Sequence, residues 1–319
     1  MLDLSTKRIC VTGGAGFLGR HVIEELQARG VSEERIFVPR RRDYDLTREA
    51  DVAKMYEDAQ PDVVIHLAAE VGGIGANRKR PGRFCYANLA MGMHLIEQAR
   101  ERRIDKFVHT GTVCAYPKFT PVPFREEDLW NGYPEETNAP YGVAKKALFV
   151  LLDGYCREYG LKSSVVVPVN LYGPHDNFDL ETSHVIPALI RKCEAAKAEN
   201  ADHITCWGTG SASREFLFVR DAAAGIVRAA EVMDEPTPIN LGTGQEITIK
   251  TLVELIAELT GFTGEIRWDA SKPDGQPRRC LDTTRAKEML DWQAEVSFEA
   301  GLRETIRWWR SRLASPAAR

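Results

Sequence analysis

The sequence predicts an α/β fold: a doubly wound parallel sheet, followed by a smaller mixed α/β C-terminal part. Three observations carry this. Short β-branched runs alternate with helical stretches through the first half of the 319 residues. Those runs are apolar at consecutive positions, as strands are when helices cover both faces of a parallel sheet. The first run also passes directly into a glycine-rich turn that opens a helix.

Taken in order, residues 8–12 (Arg-Ile-Cys-Val-Thr) read as the first strand, 17–29 as the first helix and 35–38 as the second strand. A helix near 47–58, a strand at 62–66, a helix at 84–102, a strand at 106–110, a helix at 141–159 and a strand at 163–169 continue the alternation. Beyond residue 170 the pattern is less regular. Helices are expected near 184–199, 219–232, 248–260, 284–290 and 298–312, with short strands at 203–207, 237–241 and 265–268. The stretches 117–140 and 272–279 read as long loops, which in compact domains are often functional.

Composition excludes several classes. Forty-two basic residues against 46 acidic ones give a net charge of −4, unlike a basic nucleic-acid binder. No apolar run approaches the ~18 residues of a membrane span. The N-terminus is charged at once (Asp3, Lys7, Arg8) and lacks a signal-peptide pattern. The seven cysteines are scattered, with no CxxC pair, so neither a disulfide scaffold nor a metal site is expected. These features predict a cytoplasmic protein without nucleic-acid or membrane partners. The basic stretch Asn77–Arg83 then reads as a solvated loop or a rim beside an anionic ligand.

Gly13, Gly16 and Gly19 follow the first strand with GxxGxxG spacing. One glycine allows the tight turn, one lets a phosphate approach the backbone, and one allows close helix–strand packing. The N-terminus of the helix then faces a pyrophosphate. This is the Rossmann-type arrangement for a dinucleotide. The second strand ends in Arg40-Arg41-Arg42, with no acidic residue immediately there. Arginines suit a 2′-phosphate and so NADP(H), although a charge run is also the ordinary make-up of a solvated loop. Asp45 is the candidate for reading adenine.

Tyr141 and Lys145 are four apart at the start of a predicted helix, hence on one face. A lysine ammonium beside a phenol is expected to lower the phenol's pKa from ~10 and make Tyr141 a usable proton donor or acceptor. The strand 106–110 ends in Thr110-Gly111-Thr112, which places a hydroxyl where doubly wound sheets bind ligands.

Together these motifs, in this order, resemble the extended short-chain dehydrogenase/reductase superfamily. Longer strings are similar to the GDP-L-fucose synthase family. They run Ala68-Ala69-Glu70-Val71-Gly72-Gly73-Ile74, Cys114-Ala115-Tyr116-Pro117-Lys118, Asn170 to Phe178, and Ser183 to Ala188. Trp207-Gly208-Thr209-Gly210, Arg214-Glu215-Phe216 and Lys272-Pro273-Asp274-Gly275 complete the set. The resemblance implies NADPH-dependent 3,5-epimerisation and 4-reduction of a GDP-4-keto-6-deoxy-hexose. It implies Tyr141 as the acid/base at the sugar C4 oxygen, tuned by Lys145, with Thr112 where many members carry Ser. Cys114 and His184 become the pair that moves protons on carbon.

The same resemblance implies a cofactor site of Gly13, Gly16, Phe17, Leu18, Gly19, Arg40, Arg42, Asp45, Ala68, Thr110, Tyr141, Lys145, Pro168, Asn170, Leu171 and His184. Asn170, Lys192, Trp207, Arg214, Asp274 and Arg279 are implied to contact the GDP-sugar. On composition alone Trp207 reads as core, and His175 as a weaker pocket candidate. The expected division is a Rossmann domain over 1–170 and a substrate domain over 171–319, with segments free to cross back. A homodimer through helices 84–102 and 141–159 is implied as well. Competing readings are an epimerase without net reduction, a reductase of another GDP-keto sugar such as a heptose derivative, and a non-catalytic sensor on the same fold. Intact Tyr141, Lys145 and Thr112 weigh against the sensor.

Overall fold

A computed structural model describes residues 1–72, 74–180, 182–272 and 274–314, with Ile74 described by its backbone alone. Gly73 and Pro273 of the strings above lie outside the described residues.

The first half runs β1 (Ile9–Thr12), α1 (Phe17–Ala28), β2 (Ile36–Phe37), α2 (Glu49–Ala59), β3 (Val63–His66), α3 (Ile74–Lys79), α4 (Pro81–Glu101), β4 (Lys106–Thr110), α5 (Ala139–Tyr159) and β5 (Ser163–Pro168). The second half runs β6 (Asn170–Tyr172), α6 (Val185–Ala198), β7 (His203–Trp207), β8 (Ser213–Phe218), α7 (Val219–Val232), β9 (Pro238–Leu241), β10 (Glu246–Thr248), α8 (Ile249–Thr260), β11 (Glu265–Asp269), α9 (Thr284–Leu290) and α10 (Phe298–Ala314).

The main sheet has the order β2-β1-β3-β4-β5-β9, all parallel. Its strands β1, β3, β4 and β5 are buried at every position. This is why they read as continuous apolar runs. Strand order reverses between β1 and β3, and the crevice beyond their carboxyl ends is where open α/β sheets bind ligands. The sixth strand comes from residues 238–241, with Val165 opposite Pro238 and Pro168 opposite Leu241.

Two small sheets stand apart from it. One has the order β10-β8-β6 and the other pairs β11 with β7. Apolar burial follows the same division. A large cluster surrounds the main sheet, including Ile9, Phe107, Val166 and Leu241. A second gathers Phe178, Ile190, Phe216, Leu252, Ile256 and Leu302 around the small sheets. Truncating a wholly buried ring such as Phe107 to Ala costs about 3–5 kcal/mol by loss of burial and a residual cavity.

Three strands were absent from the sequence expectation: β6, β8 and β10. The basic stretch Asn77–Arg83 also differs from its expectation, being helical except at Arg80. Pro81 stands in the first turn of α4, where its missing N–H costs nothing. Among the described residues no helix is long and apolar enough to cross a membrane.

Candidate active site

Two cavities flank the glycine loop, and Ala69 lines both. The loop geometry follows from close contacts. Gly13 has a φ of +75°, and a Cβ there would lie 2.8 Å from the Ala68 nitrogen. A Cβ on Gly19 would lie 2.2 Å from the Gly13 carbonyl oxygen. Only glycine admits both the turn and the packing of α1 against it. Gly16 caps α1 with no side-chain hydrogen bond, so the helix N-terminus offers backbone donors toward the crevice. Phe17 and Leu18, in that first turn, line the larger cavity.

The smaller cavity, about 230 Å³, is lined by Gly13, Ala15, Arg40, Arg41, Asp45, Ala68 and Glu70, among others. It corrects one expectation. Arg42 does not line it; its side chain is 84% exposed and pairs with Asp43 at 3.2 Å. The turn over 41–43 directs Arg41 to the cavity instead. Asp45 lines the cavity while its Oδ1 accepts hydrogen bonds from the Thr47 N–H (3.0 Å) and hydroxyl (2.8 Å).

The larger cavity, about 370 Å³, brings together Thr110, Thr112, Cys114, Tyr141, Lys145, Pro168, Asn170, Leu171, His184, Arg214 and Arg279. Thr112 caps a short turn after β4, its hydroxyl accepting from the Cys114 N–H at 3.2 Å. Tyr141 lines the same cavity as Thr112. Gly142 explains the approach of α5 to this turn, since a Cβ there would lie 2.2 Å from the Cys114 carbonyl oxygen. Lys145, 2% exposed, donates from Nζ to the Thr110 carbonyl at 2.9 Å. The buried Thr110 hydroxyl has no hydrogen-bond partner among the described residues. Such a group calls for a ligand or water.

The electrostatics differ from the expected tuning. Burial pushes the Tyr141 phenol up, Cys114 adds to the rise, and only Thr112 opposes it. Burial lowers Lys145 to about 7. The lysine therefore does not draw the phenol down, because its own charge is discouraged in the same dry site. His184 faces the cavity with an exposed side chain, and desolvation by the protein around it lowers its pKa as well.

Arg214 and Arg279 form another wall of this cavity. Arg214 donates to the Ser213 carbonyl (2.7 Å) and the Asp274 carbonyl (3.1 Å). Arg279 donates to Gln276 Oε1 at 3.1 and 3.3 Å. Among the described residues neither guanidinium meets a carboxylate at ion-pair distance. Burial and the neighbouring Arg279 lower Arg214 to about 10. Glu215 holds this wall in place: its buried carboxylate accepts N–H groups from Leu281 (2.6 Å), Gly244 (2.8 Å) and Thr243. It thereby ties β8 to the segment that carries Arg279.

Lys192, Trp207 and Asp274 do not line the large cavity. Lys192 donates to the Thr205 carbonyl of β7 at 2.9 Å. Asp274 accepts from the Thr209 N–H and hydroxyl, both at 2.8 Å, and adjoins the wall through Arg214. The core reading of Trp207 is overturned. Its ring is 66% exposed at the end of β7, with Lys272 Nζ 5.6 Å from the ring centre. β7 lies in a two-stranded sheet, so one of its faces meets solvent. His175 is not among the lining residues either; it packs against Trp308 with ring centres 5.0 Å apart. Gln276, Glu135, Thr137 and Asn138 were not singled out from the sequence, yet they line the cavity. Their only signal was membership of the two long loops.

Residues 9–242 match the model of the NAD dependent epimerase/dehydratase family. The chain is 39% identical over 314 residues to the GDP-L-fucose synthase of Escherichia coli (strain K12), covering 96% of this chain and 97% of that one. Among solved structures, a GDP-6-OMe-4-keto-L-xylo-heptose reductase from C. jejuni superposes with a TM-score of 0.91 at 26% identity, covering 97% of this chain and 99% of the other. A GDP-L-fucose synthetase from Naegleria fowleri bound to NADP superposes with a TM-score of 0.86, also at 26% identity, covering 96% and 95%. A Rossmann-type sheet, a glycine loop at its switch point and near full-length relatives thus agree, and the chain belongs to the NAD dependent epimerase/dehydratase family.

Proposed function

We propose that the protein is an NADPH-dependent enzyme that epimerises and reduces a GDP-4-keto-6-deoxy-hexose, giving GDP-L-fucose or a close relative. One observation carries this reading: a single cavity brings Thr112, Cys114, Tyr141, Lys145 and His184 together with Arg214 and Arg279, neither of which meets a carboxylate at ion-pair distance among the described residues. The first group handles protons. The second suits the diphosphate of a nucleotide-sugar.

The residues fit the cofactor. The uncapped N-terminus of α1 and the Gly13–Gly19 cradle suit the pyrophosphate. Arg40 and Arg41 suit the 2′-phosphate, and the unpartnered Thr110 hydroxyl and Lys145 suit the nicotinamide ribose side. When bound, NADPH supplies the hydride that reduces C4.

Thr112 and Tyr141 hydrogen-bond the C4 ketone and stabilise the enolate that forms as a neighbouring C–H is lost. The Cys114 thiolate takes the carbon-bound proton, and His184 returns one on the opposite face. Tyr141 then gives its proton to the C4 oxygen. A phenol held well above its usual pKa remains protonated until that oxygen carries charge, which suits a donor. Lys192, Trp207 and Asp274 extend the substrate site from the Arg214 wall. The exposed Trp207 ring is available to stack on guanine.

Tyr86 and Met93 on α4 and Val143 and Val150 on α5 are 58, 45, 38 and 55% exposed, each pair seven residues apart. An apolar face of this kind supports a homodimer through these two helices. The seven cysteines are free, which fits a cytoplasmic setting. A substrate domain following residue 170 is supported by the separate apolar cluster around the small sheets.

Purified protein given GDP-4-keto-6-deoxy-mannose and NADPH is expected to form GDP-L-fucose with one NADPH oxidised per product. Product without NADPH loss would sink the reductase half. The second reading, a reductase of another GDP-keto sugar, is favoured by the close fold of the heptose reductase. Turnover of a GDP-keto-heptose but not of the 6-deoxy sugar would establish it instead.

A further inference from the structure

Glu70 follows β3 and stands in the smaller cavity beside Arg40, Arg41 and Asp45. Its backbone is fixed by a buried amide. The Glu70 N–H donates to Asn88 Oδ1 at 3.2 Å, and Asn88 Nδ2 donates to the Glu70 carbonyl at 2.9 Å. Asn88 is 1% exposed, so this anchor belongs to the core of α4. The side chain is fixed as well. Arg83 of α4 donates from Nε to Oε2 at 3.0 Å and from Nη2 to Oε1 at 2.5 Å. The same Oε1 also receives a single longer hydrogen bond, 3.3 Å, from Arg41.

One carboxylate oxygen is therefore shared between a clamp on α4 and an arginine of the cavity. The sharing is unequal. Arg83 makes the paired, shorter contacts, while Arg41 makes one and leaves its side chain 77% exposed. Arg41 is the partner that an incoming anion can take away.

We propose that Glu70 is a specificity-determining residue, an internal counter-ion that sets how strongly the cavity prefers a dinucleotide with a 2′-phosphate over one without. The inference rests on the cofactor reading given above. A 2′-phosphate must take Arg41 from Glu70 and then sit near a fixed negative charge. A bare ribose 2′-hydroxyl can instead donate to that carboxylate, as acidic residues do in NAD sites. Glu70 therefore narrows the gap between the two ligands. The usual place to find such an acid is the end of the second strand, where this chain has arginines. Here it arrives from the third.

The test is calorimetric binding of adenosine 2′,5′-bisphosphate and adenosine 5′-monophosphate to the full chain. Wild type is expected to bind the bisphosphate more tightly. Glu70→Gln should tighten the bisphosphate about three- to tenfold with no gain for the monophosphate, and added salt should erode that gain, because one charge near an exposed guanidinium has an effect of this order. Arg83→Gln keeps the carboxylate but removes its clamp. The released carboxylate then pairs more fully with Arg41, and the bisphosphate should bind more weakly. Opposite signs from the two variants are the signature. A loss in both, no change in Glu70→Gln, or an equal gain for both ligands overturns the counter-ion role. A wild type that binds neither ligand overturns the cofactor reading and this inference with it.

Discussion

The floor of the large cavity and its arginine wall treat charge in opposite ways. On the floor, desolvation presses three groups toward neutrality: Tyr141 is raised, Lys145 falls to about 7 and His184 is lowered. On the wall, Arg214 is also lowered, yet only to about 10, so it keeps its charge beside Arg279. A dry site can silence a lysine or a histidine but not a guanidinium. The floor is thus responsive to what binds above it, and the wall is committed in advance to an anion.

The comparison can be broken at several points. The largest effect is expected from Tyr141→Phe, which removes a proton donor and nothing else from the floor. NADPH oxidation should fall by about 10²- to 10⁴-fold, the usual worth of a general acid, while GDP binding by calorimetry stays unchanged. A matching loss of binding would mean that floor and wall are not separate in function.

Arg214→Met tests the wall. GDP should bind about ten- to a hundredfold more weakly, as expected for losing a charge-assisted contact, with kcat changed far less than KM. A fall in kcat alone would move Arg214 to the floor in role.

The smallest effect is on stability. The pKa of Lys145 is about 7 in the folded chain against an ordinary 10.5. Between those values the unfolded chain binds the extra proton, so wild-type stability rises with pH across that window. Lys145→Met should raise the melting temperature of the ligand-free protein most below pH 7, with the advantage fading toward pH 10.5. A pH-independent difference would show that Lys145 is not desolvated.

Legibility in the sequence followed burial. The four wholly buried strands of the main sheet announced themselves as apolar runs, and the spacing of Tyr141 and Lys145 gave the helix face correctly. β8 stayed hidden because it opens Ser213-Arg214-Glu215, polar residues that serve the wall and the Glu215 clip. β6 was missed because one residue, Val169, separates it from β5. The direction of the Tyr141 shift could not be read from spacing, because desolvation depends on everything packed around the pair. Trp207 misled for a related reason: composition ranks tryptophan as core, but the two-stranded sheet beneath it has an open face. Arg41 and Arg42 are neighbours in sequence, and only the turn decided which of them faces the cavity.

The late arrival of the sixth strand has a consequence for biosynthesis. β5 is left with a bare edge until residues 238–241 emerge and pair with it. Everything from β6 through α7 must be translated in the interval, and at ~5–20 residues per second that takes several seconds. During this time an apolar strand edge is open to pairing with another nascent chain. A fragment ending near residue 170 would keep that edge permanently. The nucleotide-binding half is therefore not a module that can be cut free at the point where its own sequence pattern ends.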